Sequence, residues 1–161
     1  MFAYDTNTSS FTVIHSFGYG TDASQPRAPL LKAADGNLYG TAPDGGIYGD
    51  GAIFEFNVNT SAYTFMYSFG PLNADPYSGL LQGSDGNFYG TTPVGGIDGN
   101  IAGSTYMFNP STGGLTVLHS FSNTGTDGGY PYGGLILGQD GSLYGTANSG
   151  GSNGDGILFK F

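Results

Sequence analysis

Short apolar runs alternate with Gly-rich polar stretches along the chain, and no long segment carries the 3.6-residue period of a helix. One early run alternates β-branched and aromatic residues, which is typical of a strand. The side chains that this alternation places on one face are Phe11, Val13, His15 and Phe17. Runs of this kind close on Ser-Phe pairs spaced 52 residues apart, at 16–17, 68–69 and 120–121. The spacing predicts a tandem repeat.

Each repeat is predicted to hold four short strands, named a to d. Strand a is a Leu-Leu run, b is Leu-Tyr-Gly-Thr, c is Ile-Phe-x-Phe, and d ends in Ser-Phe. An Asp-Gly turn joins a to b, and this dipeptide between apolar runs is a strong hairpin signal. The motif that it opens occurs at 35–41, 85–92 and 140–146.

The chain is predicted to be one repeat domain over residues 1–161. Its parts are strands c–d at 1–17, two full repeats at 18–69 and 70–121, and strands a–b–c at 122–161. Four antiparallel strands per repeat of about 50 residues are typical of a β-propeller blade. A β-trefoil is the alternative, since it also uses three four-stranded repeats.

About three blades per chain cannot close a ring, and an open array would leave unpaired edges. We therefore expect a homodimer that forms a six-bladed propeller. Strands a and b at one C-terminus would be completed by strand d of the partner's N-terminus. Strand c is present twice at that junction, and residues 157–161 match the internal repeats better than residues 1–5. We therefore expect residues 157–161, the C-terminal copy, to form strand c of the blade at that junction.

The order Gly-Leu-Leu, Asp-Gly-Asn-Phe-Tyr-Gly-Thr-Thr, Gly-Gly, Gly-x-x-Phe-x-Phe and a final Ser-Phe resembles the GloVer (Gloeo/Verruco) tandem repeat. The resemblance covers essentially the whole chain. It implies a propeller-like all-β array and an exported, extracellular or cell-surface protein, and it implies no activity.

The composition of the chain disfavours several classes of binding partner and binding site. The net charge is -9, and the basic residues are Arg27, Lys32 and Lys160. Nucleic acid and anionic membrane surfaces are therefore poor partners. Without cysteine the chain offers no disulfide or thiolate metal site. No apolar run reaches membrane-spanning length, and the residues after Met1 do not resemble a signal peptide.

Few residues suggest catalysis. His15 and His119 occupy the same place in strand d, where the middle repeat has Tyr67, so a structural role is favoured over acid–base chemistry. The Asp of each Asp-Gly pair is explained by the turn. The b–c loops contain Asp44, Asp50, Asp98 and Asp155 without a fixed spacing, so no metal or other cofactor is predicted and Ca²⁺ stays an open question.

The long, variable loops d–a and b–c are expected to share one face, where binding sites tend to be placed. Residues that follow or precede the aligned prolines 26, 76 and 131 would gather there with other loop tyrosines. The candidate ligand-binding residues are Arg27, Tyr48, Tyr77, Tyr130 and Tyr132, with Tyr19 nearby. Aromatic rings beside Asp and Asn suit stacking on sugars. Packing of the loops and the channel mouth is nevertheless the favoured explanation of these tyrosines, and protein–protein contact is a third.

The sequence therefore favours a non-enzymatic structural or binding module, carbohydrate binding being one form of it. The alternative is a glycosidase- or lyase-type enzyme that uses carboxylates of the loop face, which would need two acids within about 5–10 Å.

Overall fold

Strands account for the regular secondary structure of the computed structural model, which describes residues 1–18, 20–97 and 101–161. In this part of the chain no helix has the length and apolarity needed to cross a membrane. The strands in chain order are β1 (Phe2–Asp5), β2 (Ser10–Val13), β3 (Ala23–Ser24), β4 (Leu31–Lys32), β5 (Leu38–Ala42), β6 (Asp44–Gly45), β7 (Ala52–Asn57), β8 (Ala62–Ser68), β9 (Asn73–Ala74), β10 (Leu81–Gln82), β11 (Phe88–Thr92), β12 (Val94–Gly95), β13 (Ser104–Asn109), β14 (Gly114–Ser120), β15 (Ile136–Leu137), β16 (Leu143–Ala147) and β17 (Ile157–Lys160).

The longer strands of each repeat form the larger sheets together with the short strands β4, β10 and β15. Two complete four-stranded antiparallel sheets have the orders β4-β5-β7-β8 and β10-β11-β13-β14, which are strands a to d of the two full repeats. The hairpin β1–β2 supplies strands c and d before them, and β15-β16-β17 supplies a, b and c after them. The predicted all-β, propeller-like fold is confirmed.

The loops d–a and b–c meet on one side of these sheets, which we call the loop face. Strand β3 pairs with β6, and β9 pairs with β12, so each pair joins a d–a loop to the following b–c loop. A bridge between Gly129 and Ser149 repeats the arrangement in the last repeat. The prediction that both loop types share a face is confirmed.

The repeated Asp-Gly motif folds as a self-contained hairpin. The carboxylate of Asp35 accepts hydrogen bonds from the backbone N–H of Asn37 at 2.9 Å and from the hydroxyl of Tyr39 at 2.7 Å. The same Tyr-to-Asp bond joins Tyr89 to Asp85 and Tyr144 to Asp140. The motif therefore fixes the a–b turn through its first and fifth residues.

Neighbouring sheets pack face to face through aromatic side chains. One cluster joins Tyr39 and Ile53 of the first complete sheet to Phe88, Tyr106 and Phe108 of the second. These side chains are almost fully buried, so they form the main core. Burial on this scale is the dominant favourable contribution to folding.

A bulge in strand d interrupts the alternation of side chains that the sequence predicts. In β8 the register shifts opposite Ile53 and Phe54, so that Phe65 and Tyr67 pack against different clusters. In the first hairpin β2 ends at Val13, and His15 stacks on Tyr63 of the next sheet. The prediction that Phe11, Val13, His15 and Phe17 share one face is wrong, because the N–H groups of Ile14 and His15 both donate to the carbonyl of Met1 and the alternation is interrupted there.

Candidate functional site

Each d–a loop turns sharply at the residue before its proline. Gln25, Asp75 and Tyr130 have φ values of 54°, 59° and 57°, in the left-handed region that non-glycine residues seldom adopt. They precede Pro26, Pro76 and Pro131, respectively. The shared turn directs the residue after each proline to an equivalent place on the loop face.

Those three residues form a row of side chains. The guanidinium carbon of Arg27 lies 5.1 Å from the ring centroid of Tyr77, and the Tyr77 and Tyr132 rings lie 6.0 Å apart at 54°. Arg27 is exposed, Tyr77 is half-buried, and Tyr132 is 53% exposed. We call Arg27, Tyr77 and Tyr132 the Arg–Tyr–Tyr row. Its open side can accept a ligand that stacks on aromatic rings.

The other two candidate residues lie apart from this row. Tyr130 packs against a cluster formed by Ala102, Phe121 and Ala147, and its N–H donates to the carbonyl of Ala102 at 2.6 Å. Tyr48 is exposed and lies over Gly70. Tyr19 lies outside the described residues. The structure thus brings together three of the five candidate residues and assigns Tyr130 a packing role.

A His–Asp pair occurs in the first and the last d–a loop. The Nε2 atom of His15 is 3.0 Å from Asp22 Oδ2, and the Nε2 atom of His119 is 3.0 Å from Asp127 Oδ1. Asp22 also accepts the hydroxyl of Tyr63 at 2.6 Å. Burial raises the pKa of Asp22, but the hydrogen bonds from Tyr63, His15 and the backbone outweigh it and lower the pKa overall. The pair therefore holds the loop to strand d.

A group of acids lies beside the positive-φ turn of the middle repeat. Burial, together with the negative charges of Asp44 and Asp50, raises the pKa of Asp75. Within residues 1–18, 20–97 and 101–161, no group of three or more His, Asp or Glu side chains is arranged to hold a metal ion. Asp98 lies outside the described residues.

Comparison with known proteins identifies the repeat. The family model described as the Gloeobacter/Verrucomicrobia repeat matches residues 1–161. The chain belongs to this repeat family. Curated protein sequences contain no match to it.

A solved structure supports the fold of this repeat-family chain. The crystal structure of TolB from Acinetobacter baumannii, which contains a β-propeller domain, matches with a TM-score of 0.60 at 17% sequence identity. The match covers 99% of this chain and 34% of the TolB chain, so the repeat-family chain spans about a third of the length of that structure. At this identity the likeness concerns the fold alone.

Sequence reasoning missed the aspartates of the His–Asp pairs. Asp22 and Asp127 stand where the middle repeat has Leu72, and their histidines stand where it has Tyr67. The two positions therefore change together between repeats. This joint change could have indicated the pairs from the sequence. The d–a loops differ in length, however, so Asp22 and Asp127 can be aligned only from the loop pairing in the structure.

Proposed function

We propose that the chain is a non-enzymatic binding module on an extracellular surface and that the Arg–Tyr–Tyr row binds carbohydrate. The observation that carries this proposal is the convergence of Arg27, Tyr77 and Tyr132 from three repeats onto one open row. The repeat family and the propeller-like fold support a structural or binding module in general terms.

The chemistry of the row favours neutral glycans. An aromatic ring offers an apolar face to the C–H side of a sugar ring, and polar groups beside it can bond the hydroxyls. The guanidinium group of Arg27 supplies hydrogen-bond donors for sugar hydroxyls at one end of the row. A net charge of -9 opposes the approach of anionic polysaccharides.

A glycan array followed by calorimetry tests the proposal. Tyr77→Ala and Tyr132→Ala should each weaken binding of a neutral oligosaccharide at least tenfold, because each removes one ring that stacks on the sugar. A loss of about 1.4 kcal/mol of binding free energy corresponds to a tenfold change in Kd. Tyr48→Ala is the matched control, because Tyr48 is an exposed loop-face tyrosine outside the row. An array without hits, or equal losses in all three variants, would contradict carbohydrate binding at the row.

The acid group supports a second candidate, a glycoside-cleaving enzyme. A carboxyl group with a raised pKa can act as a general acid, and Asp75 has that property beside Asp44 and Asp50. The test is release of reducing ends from neutral polysaccharides by the unmodified chain and by Asp75→Asn. Activity that disappears in Asp75→Asn would support the enzyme, whereas equal activity in both, or none in either, would remove it.

A further inference from the structure

The N-terminal hairpin exposes positions that are buried in the inner sheets. Phe2 is 66% exposed, whereas the equivalent Phe54 is 1% exposed; Tyr4 and its equivalent Phe56 show the same contrast. Phe11 and Val13 on β2 are also exposed. This face of the hairpin is therefore one half of a sheet-to-sheet interface.

The C-terminal sheet exposes the complementary half. Leu158 is 74% exposed, and its equivalent Ile53 is fully buried between the two complete sheets. The threonines of strand b show the same contrast. The hydroxyl of Thr41 donates to the carbonyl of Ser78 at 2.7 Å and that of Thr91 to the carbonyl of Gly133 at 2.9 Å, while the equivalent Thr146 is exposed.

Strand pairing is incomplete at both ends. Strands β8 and β14 have seven residues each, but β2 has four and ends at Val13. In the described part of the chain β17 pairs with β16 alone, so strand d is missing from its other edge. A cavity of about 520 Å³ lies between this sheet and the second complete sheet, lined among others by Leu118, Leu137, Leu143 and Phe161.

We propose that β2 of a second copy of this chain adds to the free edge of β17 and displaces β1. Two copies that exchange β2 in this way form a closed twofold ring with six four-stranded blades. The surface that a second copy would cover continues the interface already present between the complete sheets. This proposal does not depend on carbohydrate binding.

The register of the new pair follows from the internal sheets. Glu55 lies opposite Thr64 in the first complete sheet, and Met107 lies opposite Thr116 in the second. The equivalent pair is Lys160 with Thr12 of the second copy. Strand β2 would then extend through Ser16, as β8 and β14 extend through their equivalent serines, and Thr146 would face the carbonyl of Ala28 in the second copy.

Cross-linking tests this register, because the chain has no cysteine of its own. Cα atoms directly opposite in an antiparallel pair lie about 4.5–5.5 Å apart, within reach of a disulfide. Thr12 and Lys160 are exposed, so Thr12→Cys/Lys160→Cys should fold like the unmodified chain. Thr12→Cys/Ser152→Cys is the control, since Ser152 lies in an exposed b–c loop.

Mild oxidation should convert Thr12→Cys/Lys160→Cys almost completely into a covalent dimer of twice 16.6 kDa that reverts on reduction. The control should stay at the single-chain mass. A single-chain band for both variants would overturn the proposal, and so would a non-covalent dimer that resists cross-linking. A ladder of larger species would show open strand exchange and overturn the closed ring.

Discussion

At the scale of single residues, Tyr106 carries a buried hydroxyl where the neighbouring repeats have Phe54 and Phe159. Within the described residues this hydroxyl has no hydrogen-bond partner. An unpaired buried polar group costs about 1–3 kcal/mol. We expect Tyr106→Phe to raise the free energy of unfolding by about 1 kcal/mol, measured by urea denaturation.

Tyr39→Phe is the control for that substitution. The hydroxyl of Tyr39 donates to Asp35 at 2.7 Å, so its removal should lower the free energy of unfolding by about 1 kcal/mol. A destabilised Tyr106→Phe variant would show that the Tyr106 hydroxyl has a partner.

The His–Asp pairs give the fold an acid-sensitive contribution. The folded pKa of Asp22 lies below its ordinary value of 3.8, because hydrogen bonds from Tyr63 and His15 outweigh the effect of burial. Its ionised carboxylate therefore stabilises the fold above pH 3.8, and this contribution is lost as the pH falls through the folded pKa.

Asp22→Asn should lower the free energy of unfolding at pH 7, and the difference from the unmodified chain should shrink below pH 3.8. Urea denaturation at several pH values measures it. Asp155→Asn, in an exposed loop, should change little at any pH. A deficit for Asp22→Asn that is constant down to pH 2 would show that ionisation of Asp22 is not its source.

At the scale of the strand, the glycine of the Tyr-Gly-Thr motif makes room for an aromatic ring on strand c. A Cβ atom at Gly90 would collide with the ring of Tyr106, and one at Gly40 with the ring of Phe54. Overpacking of this kind costs about 1–3 kcal/mol. We expect Gly90→Ala to lower the free energy of unfolding by that amount, measured by urea denaturation.

Gly134→Ala is the control for Gly90→Ala, because a Cβ atom there comes no closer than 3.8 Å to another atom and should be tolerated. Equal stability of the two variants would contradict the close-packing role of the motif glycine.

The hairpins were predictable from local signals, and the bulge was not. The Asp-Gly turn and the recurring tyrosine specify the a–b hairpin within a few residues, so the motif gives its own structure. The register shift in β8 depends on its pairing with β7, and simple alternation cannot show it.

The candidate site was predictable only in part. The aligned prolines indicated that Arg27, Tyr77 and Tyr132 are equivalent, and these three meet. Tyr130 precedes its proline and has a positive φ, so its side chain packs inward instead. The inward direction of the Tyr130 side chain depends on a backbone conformation that the sequence pattern does not reveal.

At the scale of the whole molecule, a charge placed on the exposed face of the C-terminal sheet tests whether a second copy covers that face. Leu158→Asp should dissociate the proposed dimer, because it would place a carboxylate in the interface between copies. Ile47→Asp is the matched control, since Ile47 is comparably exposed but lies on the loop face. Sedimentation velocity measures both, and a dimer that withstands Leu158→Asp would contradict the proposed contact.

In the proposed dimer, two copies of this chain complete each other's blades. Native mass spectrometry of the 161-residue chain at micromolar concentration tests it most directly. We expect a single species of twice 16.6 kDa. A species at the single-chain mass, or an open series of oligomers, would contradict it.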